Sequence, residues 1–382
     1  MFWMILFTVS GALALLMYGG SAIPFFLNVN KIGLLKNESE NENEGTVPSE
    51  RITVVVAARN EQKAIVRCVE SLLAQTYPQL EVVVVDDRSH DDTPRLLEEL
   101  ERRHDRLRVL NVRELPAGWL GKSHALALGA AQTEGEWLLF TDADILFDPR
   151  AISEALGYVR RNRLDHLTLI PEFGGPKFVC KPYAAFIFQS AVAFGQLWKM
   201  KDPAAKQTLG VGAFNLIRRE AYVGIGTHEA FKMHTTDDNE LARQVQQKGL
   251  RQDVLFGRDR VTVWNWYETA GQLIRSMEKS VFRFSQAIIA SLMCLLTMIL
   301  PFVGVWTGPW WQRLLCGLAI AAIVSVQAVY SRRSGSGFWY GLLYPLVGAL
   351  LIAGSIRGAA GAAIRGGVFW RGTRYERGEV TS

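Results

Sequence analysis

Apolar residues in this chain gather in two kinds of run: long uncharged blocks towards the ends, and short β-branched runs in the middle. Met1 to Asn30 carries no charged side chain and exceeds the ~20 residues that a helix needs to cross a bilayer. A signal peptide would open on basic residues and end at a small-residue cleavage site, so the block is expected to be a retained anchor. Ala287 to Val305, Leu314 to Tyr330 and Phe338 to Ile356 are three further uncharged blocks of spanning or near-spanning length.

The middle of the chain alternates instead. "ITVVVAA" from Ile52 is a continuous β-branched run, the pattern of a strand buried on both faces. Glu61 to Gln75 places Ile65, Cys68, Val69, Leu72 and Leu73 at helical spacing, one apolar stripe. "EVVVVDD" predicts a second strand, Thr93 to His104 a polar helix, "LRVLNV" a third strand, Ser123 to Gln132 a helix and "EWLLFTDAD" a fourth strand. Strand alternating with helix predicts an α/β domain, a mostly parallel sheet with helices on both faces.

Length and charge sharpen this picture. At 382 residues the chain exceeds one typical domain, and 49% hydrophobic residues with 11 Trp fit membrane contact. The net charge is +5, and the basic residues cluster beside apolar blocks, which favours anionic lipid headgroups and argues against nucleic acid. Lys31, Lys36 and Arg51 follow the first block, so the positive-inside rule puts the middle domain in the cytoplasm, and Arg332 and Arg333 agree. Arg357, Arg365, Arg371, Arg374 and Arg377 would lie outside after four crossings. Either the last block re-enters without crossing, or the rule is broken. The four cysteines, Cys68, Cys180, Cys294 and Cys316, show no metal or disulfide spacing and read as reduced packing residues. "NESENENEG" from Asn37 reads as an acidic linker. The expected organisation is an anchor over 1–30, a linker over 31–50, a catalytic domain over 51–285, membrane helices over 286–358 and a basic tail over 359–382.

In parallel sheets, ligands lie beyond the carboxyl ends of the strands. Ala57 to Asn60 ends the first strand, Asp86 and Asp87 the second, Asp142 and Asp144 the fourth, so polar strand ends should face one crevice. Residues two apart in an extended segment point the same way, which lets Asp142 and Asp144 serve one bound object. A divalent cation such as Mg²⁺ or Mn²⁺ takes one or two carboxylates plus substrate phosphates, and the chain has no GxxxxGK[ST] loop to hold phosphates otherwise.

"VVAARNE", "VVDDRSHDDT", "TDAD" and "TDDNELARQVQQKG", in this order, resemble the motifs of the family 2 glycosyltransferases, inverting enzymes of GT-A fold. The resemblance covers roughly Ile52 to Gly249. "LPAGWLGKSHALALG" and "WRGTRY" resemble the membrane members that glycosylate carotenoid or hopanoid-type lipids. The resemblance implies that Ala57 and Arg59 belong to the nucleotide motif, that Asp87 contacts the nucleobase, Asp142 the ribose side and Asp144 the metal, and that Asp238 is the general base. Asp237 competes for that last role, and Thr236-Asp237 also fits a helix N-cap. Lys122 and Trp119 fit phosphate pairing and ring stacking, or equally a solvated Lys and a packed surface Trp. His228 and His234 read as ordinary loop histidines. Processive synthases carry Q-x-x-R-W after the base. "LIRSMEKSVFRF" lacks its tryptophan, which implies single sugar transfer, with Arg275, Lys279 and Arg283 as phosphate contacts or a basic juxtamembrane face.

Phe178 to Met200 is apolar and aromatic, with Lys181 and Lys199 near its ends. Two readings fit: a helix at the membrane interface with Tyr183 and Trp198 at headgroup level, or a buried core helix. The expected function is transfer of one sugar from a nucleotide-sugar donor to a lipid acceptor by a multi-pass protein of the cell (inner) membrane. The alternatives are a polyprenyl-phosphate sugar transferase and a non-catalytic membrane protein that binds nucleotide sugar.

Overall fold

The computed structural model describes residues 1–35, 50–176, 178–264, 266–277, 284–365, 367–370 and 373–376. The linker from Asn37 to Gly45, Lys36, Lys279, Arg283, Arg371 and Arg377 therefore lie outside the described residues. Two compact units form: Ile32–Glu172 with Leu197–Trp264, and Met1–Lys31 with Phe173–Gln196 and Asn265–Ser382.

The first unit is α/β. Its strands are β1 (Ile52–Ala58), β2 (Leu80–Asp87), β3 (Leu107–Val112), β4 (Trp137–Asp142), β5 (Ile145–Phe147) and β6 (His166–Ile170). After the two-residue β7 (Glu172–Phe173) come β8 (Asn215–Arg218), β9 (Gln252–Phe256) and β10 (Val261–Val263). Seven of them build one sheet in the order β3-β2-β1-β4-β8-β6-β9. Neighbours run parallel except around β8, which is antiparallel to both β4 and β6. Every residue of β1 is buried, as its unbroken β-branched run requires. The helix Gly121–Ala131 covers one face, with Ala125, Leu126 and Ala130 joining Val55, Val83, Val85 and Phe140 in one cluster.

Strand order reverses at β1, which lies between β2 and β4, and chain register lines up their ends: Ala57 faces Asp142 and Ala58 faces Asp86. That reversal is where open α/β sheets leave a crevice. Helix ends shift by one to three residues, Thr93–Glu101 for Thr93–His104 and Gly121–Ala131 for Ser123–Gln132, and two further boundaries bear on the site. The first helix spans Ile65–Leu73 rather than starting at Glu61, with the expected stripe buried. Residues before it are held elsewhere: the Asn60 N–H donates to Ser89 Oγ at 2.9 Å, Asn60 Oδ1 accepts from the His90 N–H at 2.8 Å, and the Glu61 N–H donates to Thr93 Oγ1 at 2.8 Å. The fourth strand ends at Asp142, and Ala143-Asp144 forms a turn before β5. Burial still alternates there, Ala143 inside and both aspartates partly exposed.

Among the described residues, the second unit holds four helical stretches long and apolar enough to cross a membrane: Phe2–Lys31, Ser285–Gly304, Trp310–Ser334 and Phe338–Gly361. Gly11 lies against Cys316, and Asn30 Oδ1 accepts a hydrogen bond from Arg333, so the first and third run parallel. The second, joined to the third through residues 305–309, runs opposite to both, with Gly304 against Phe7. The last stretch doubles back. Gln327 Nε2 donates to Ser336 Oγ and the Gly337 carbonyl, and Gly341 rests on Val324, so Phe338–Leu343 already descends along the third helix. Tyr344–Arg365 then has Gly348 against Met298 and Ile299, and only its later residues are left to pack along Phe284–Cys294. It therefore runs antiparallel to Ser285–Gly304, back towards the end from which the chain came.

The helix Cys180–Gly195 belongs with these apolar helices, where Gln189 Nε2 donates to Tyr344 Oη at 2.8 Å and the Tyr183 ring lies 5.8 Å from Trp266. Of the two readings for Trp198, headgroup level or buried core, the second holds: it is only 9% exposed, in the α/β unit. It follows Gln196, whose left-handed conformation ends the helix before the tryptophan. All four cysteines are free, as their spacing implied.

Candidate active site

Ala57, Arg59 and Asp87 form one cluster in the α/β unit and Lys122, Asp142, Asp237 and Asp238 a second, with Asp144 in the turn after β4, whereas Arg275, read as a phosphate contact, lies in the unit of apolar helices. The first forms around Asp87, the last residue of β2. Burial of a carboxylate demands compensation, and Arg88 supplies it: Nε donates to Oδ1 at 2.7 Å and an Nη to Oδ2 at 3.0 Å. Arg59, just past β1, adds a guanidinium 3.7 Å from Oδ2. Ala57 sits beside it in β1, 8% exposed. Gly121 opens the helix Gly121–Ala131 directly against Asp87 Oδ2, where any Cβ would collide with that oxygen. Arg88 is a residue that sequence reasoning missed. Its signal was the basic residue directly after the strand-end pair.

The second cluster centres on Lys122. Its Nζ lies 2.8 Å from Asp142 Oδ1, at the end of β4, and 3.4 Å from Asp237 Oδ1, in the first turn of the helix Asp237–Gln247. Burial alone would push this ammonium's pKa down, but Asp142, Asp237 and Asp238 outweigh it and hold the proton more firmly than usual. Asp237 is raised to about 6, first by burial and then by Asp238 and Asp142, with Lys122 opposing. Lys122 is thus a bridge between carboxylates, and the alternative of a solvated surface lysine is overturned. Asp237 is in the helix rather than at its N-cap, and Thr236, the N-cap, makes no capping side-chain bond.

Asp238 points differently. Its Oδ2 accepts the Gly212 N–H at 2.8 Å and its Oδ1 the Asn239 N–H at 2.8 Å. The Gly212 carbonyl accepts from the Asp142 N–H at 2.9 Å, so one residue's backbone joins both carboxylate positions. A Cβ on Gly212 would lie 2.5 Å from Asp142 Oδ2 and 3.2 Å from Lys122 Nζ, and one on Gly210 would collide with the Asp238 carbonyl. This Gly210-Val211-Gly212 segment also escaped sequence reasoning, although "GVG" immediately before an apolar strand was its visible sign.

Asp144 follows in the turn, its carbonyl accepting the Trp264 N–H at 2.9 Å. Among the described residues no group of three His, Cys, Asp or Glu side chains is placed to hold a metal by itself. His228 is no loop residue but is fully buried, with Nδ1 2.7 Å from Tyr222 Oη and its ring edge-on to Phe140. Burial, and then the charge of Lys122, lower its pKa to about 3. His234 is partly exposed, 3.8 Å from Glu240. Trp119 meets His124 edge-on, with the Lys232 ammonium 5.5 Å from its ring.

Residues 53–224, which contain both arginines, Asp87, Lys122, the Asp142-Asp144 turn and the glycine segment, match the family described as glycosyl transferase family 2. The chain carries a family 2 glycosyltransferase domain. Outside the matched stretch, Asp237 and Asp238 complete the cluster of this glycosyltransferase domain. Among curated relatives, the chain is 29% identical over 240 residues to the 4,4'-diaponeurosporenoate glycosyltransferase of Staphylococcus haemolyticus, a match covering 60% of each chain. It is 37% identical over 107 residues to the beta-monoglucosyldiacylglycerol synthase of Trichormus variabilis, covering 28% of this chain and 22% of the relative. The chain thus spans less than two thirds of either relative. A solved mannosyltransferase from Pyrobaculum calidifontis, in complex with GDP-Man and Mn²⁺, superposes with a TM-score of 0.55 at 18% identity, covering 92% of this chain and 98% of that one. This likeness concerns fold: the domain is GT-A, joined in the same chain to four helices of membrane-spanning length.

Proposed function

We propose that this protein is an inverting glycosyltransferase that moves one sugar from a nucleotide-sugar donor to a membrane lipid at the cytoplasmic face. The observation that carries the reading is the Lys122 bridge between Asp142 and Asp237, with Asp238 held beside it on the Gly212 amide.

Asp87, gripped by Arg88 and Arg59, presents a fixed acceptor edge at the switch point of the sheet, suited to the donor's base. Asp142 would meet the ribose side. Asp144 would hold a divalent cation together with the donor's phosphates, because the protein alone offers no three-ligand set among the described residues. When bound, that cation supplies neutralising charge to the departing diphosphate.

Inversion needs one base on the acceptor hydroxyl. Asp237 is buried and tied to an ammonium, whereas Asp238 is partly exposed and oriented by two amides. Asp238 is therefore the carboxylate that takes the acceptor proton as a hydroxyl oxygen attacks the anomeric carbon and the nucleoside diphosphate departs, while Asp237 keeps Lys122 in place. Relatives named for diaponeurosporenoate and for diacylglycerol products support a lipid acceptor.

Lys31 follows Asn30, and Asn30 is bonded to Arg333 next to Arg332, so three cations share one end of the apolar helices. The positive-inside rule makes that end cytoplasmic. With the last block returning to the same end, the reading is three crossings and a re-entrant hairpin, which leaves the basic tail cytoplasmic as well.

The test is mass spectrometry of lipids from membranes containing the protein, supplied with defined nucleotide sugars and Mn²⁺. A new glycolipid whose formation Asp238→Asn abolishes is expected. Donor binding without any transfer across a broad lipid panel would instead indicate a binding protein.

A further inference from the structure

We propose that the notch between the ends of the first and third apolar helices binds the phosphate head of an anionic glycerophospholipid. The notch is a cavity of about 550 Å³ lined by Phe26, Val29, Asn30, Val329, Arg332 and Arg333. It is independent of the transferase site, being built wholly within the unit of apolar helices.

Its chemistry is layered by helix geometry. Val329 precedes Arg332 and Arg333 by three and four residues, and Phe26 precedes Asn30 by four with Val29 beside it, so on each helix an apolar residue lies one turn below a polar one on a single face. The apolar turns stack on one level and the guanidiniums one helical pitch, about 5.4 Å, further out. A membrane lipid has the same order, with acyl chains and glycerol below and phosphate above.

The guanidiniums suit that phosphate for two reasons. Arg presents a planar donor fork that matches phosphate oxygens in pairs. Both residues lie in the last turn of Trp310–Ser334, which Gly335 ends at φ +73°, and the helix dipole favours cations there, so both charges are held at the notch. Arg333 donates to Asn30 Oδ1, which pins one fork across the notch. Both walls end apolar helices of spanning length, so the occupant approaches from the bilayer and carries apolar chains with its charge.

Native mass spectrometry of the full chain, released from neutral detergent with phosphatidylglycerol or phosphatidylcholine added, reads the site. Wild type should retain phosphatidylglycerol roughly tenfold or more better, the gain expected from two basic residues at a lipid surface. Arg332→Gln with Arg333→Gln should bring the two lipids to parity. Val329→Trp fills the apolar floor while keeping both charges, and should also lose phosphatidylglycerol. If Val329→Trp retains it fully, the attraction is a surface charge effect and the notch is no site. Equal retention of both lipids by wild type, or displacement of phosphatidylglycerol by millimolar inorganic phosphate, likewise overturns the proposal.

Discussion

The backbone N–H of Gly212 donates to Asp238 Oδ2 at 2.8 Å, while the Gly212 carbonyl accepts the N–H of Asp142 at 2.9 Å. One peptide segment therefore sets the spacing between the end of β4 and the first turn of the helix Asp237–Gln247. Gly212→Ala tests this strut, because its Cβ would lie 2.5 Å from Asp142 Oδ2. Displacing either carboxylate by about 1 Å should lower turnover about a hundredfold. Thermal unfolding of the purified variant in detergent should show that the fold persists.

Asp238→Asn keeps the size of the side chain and removes its proton acceptor. With a hydroxyl acceptor, turnover should fall by roughly 10²–10⁴, the usual worth of a general base, with donor binding retained. Measuring donor affinity alongside glycolipid formation checks both. A largely retained rate would point to a phosphate or carboxylate acceptor, which needs no base.

Divalent cation removal is expected to abolish transfer, and Mn²⁺ or Mg²⁺ to restore it. In Asp144→Asn, the metal concentration for half-maximal rate should rise at least as much as the roughly 10–100-fold that follows loss of a supporting partner. A chelator titration followed by metal add-back measures it.

His228 carries a pH signature. Its folded pKa is about 3 against an ordinary 6.5, so below pH 6.5 the unfolded chain takes up a proton that the folded chain refuses. Stability from this group is present above pH 6.5 and is lost as pH falls towards 3, by up to about 1.4 kcal/mol per pH unit. His228→Phe, placed among Phe140, Phe231 and Tyr222, should lose less stability than wild type between pH 6.5 and 4. Unfolding curves across that range check the difference in slope.

Topology gives a further expectation. A reporter fused after Ser382 should lie on the same side of the membrane as one inserted at Gly335. Labelling from opposite sides would mean that Phe338–Gly361 crosses fully.

Much of this architecture can be read from local pattern. The unbroken β-branched runs of β1 and β2 and the stripe from Ile65 to Leu73 announce their own burial, and the four apolar blocks their spanning length, because periodicity and composition act over a few residues. The acidic strand ends were visible for the same reason. Other features were not: the reversed direction of β8, the loss of Glu61 from the helix as it and Asn60 clip onto Ser89, His90 and Thr93, and the burial of Trp198 all depend on partners far along the chain.

By itself, then, the order of residues determined the first four strands, the helices between them and the apolar blocks, and that Asp87 and Asp142 end strands. Only the tertiary structure decided that Lys122 bridges Asp142 and Asp237, that Gly212 grips Asp238, and that the last apolar helix turns back along Ser285–Gly304. Each of these joins residues separated by tens of positions in the chain. Charge pairing and close packing are set by distance in space, which no local period encodes.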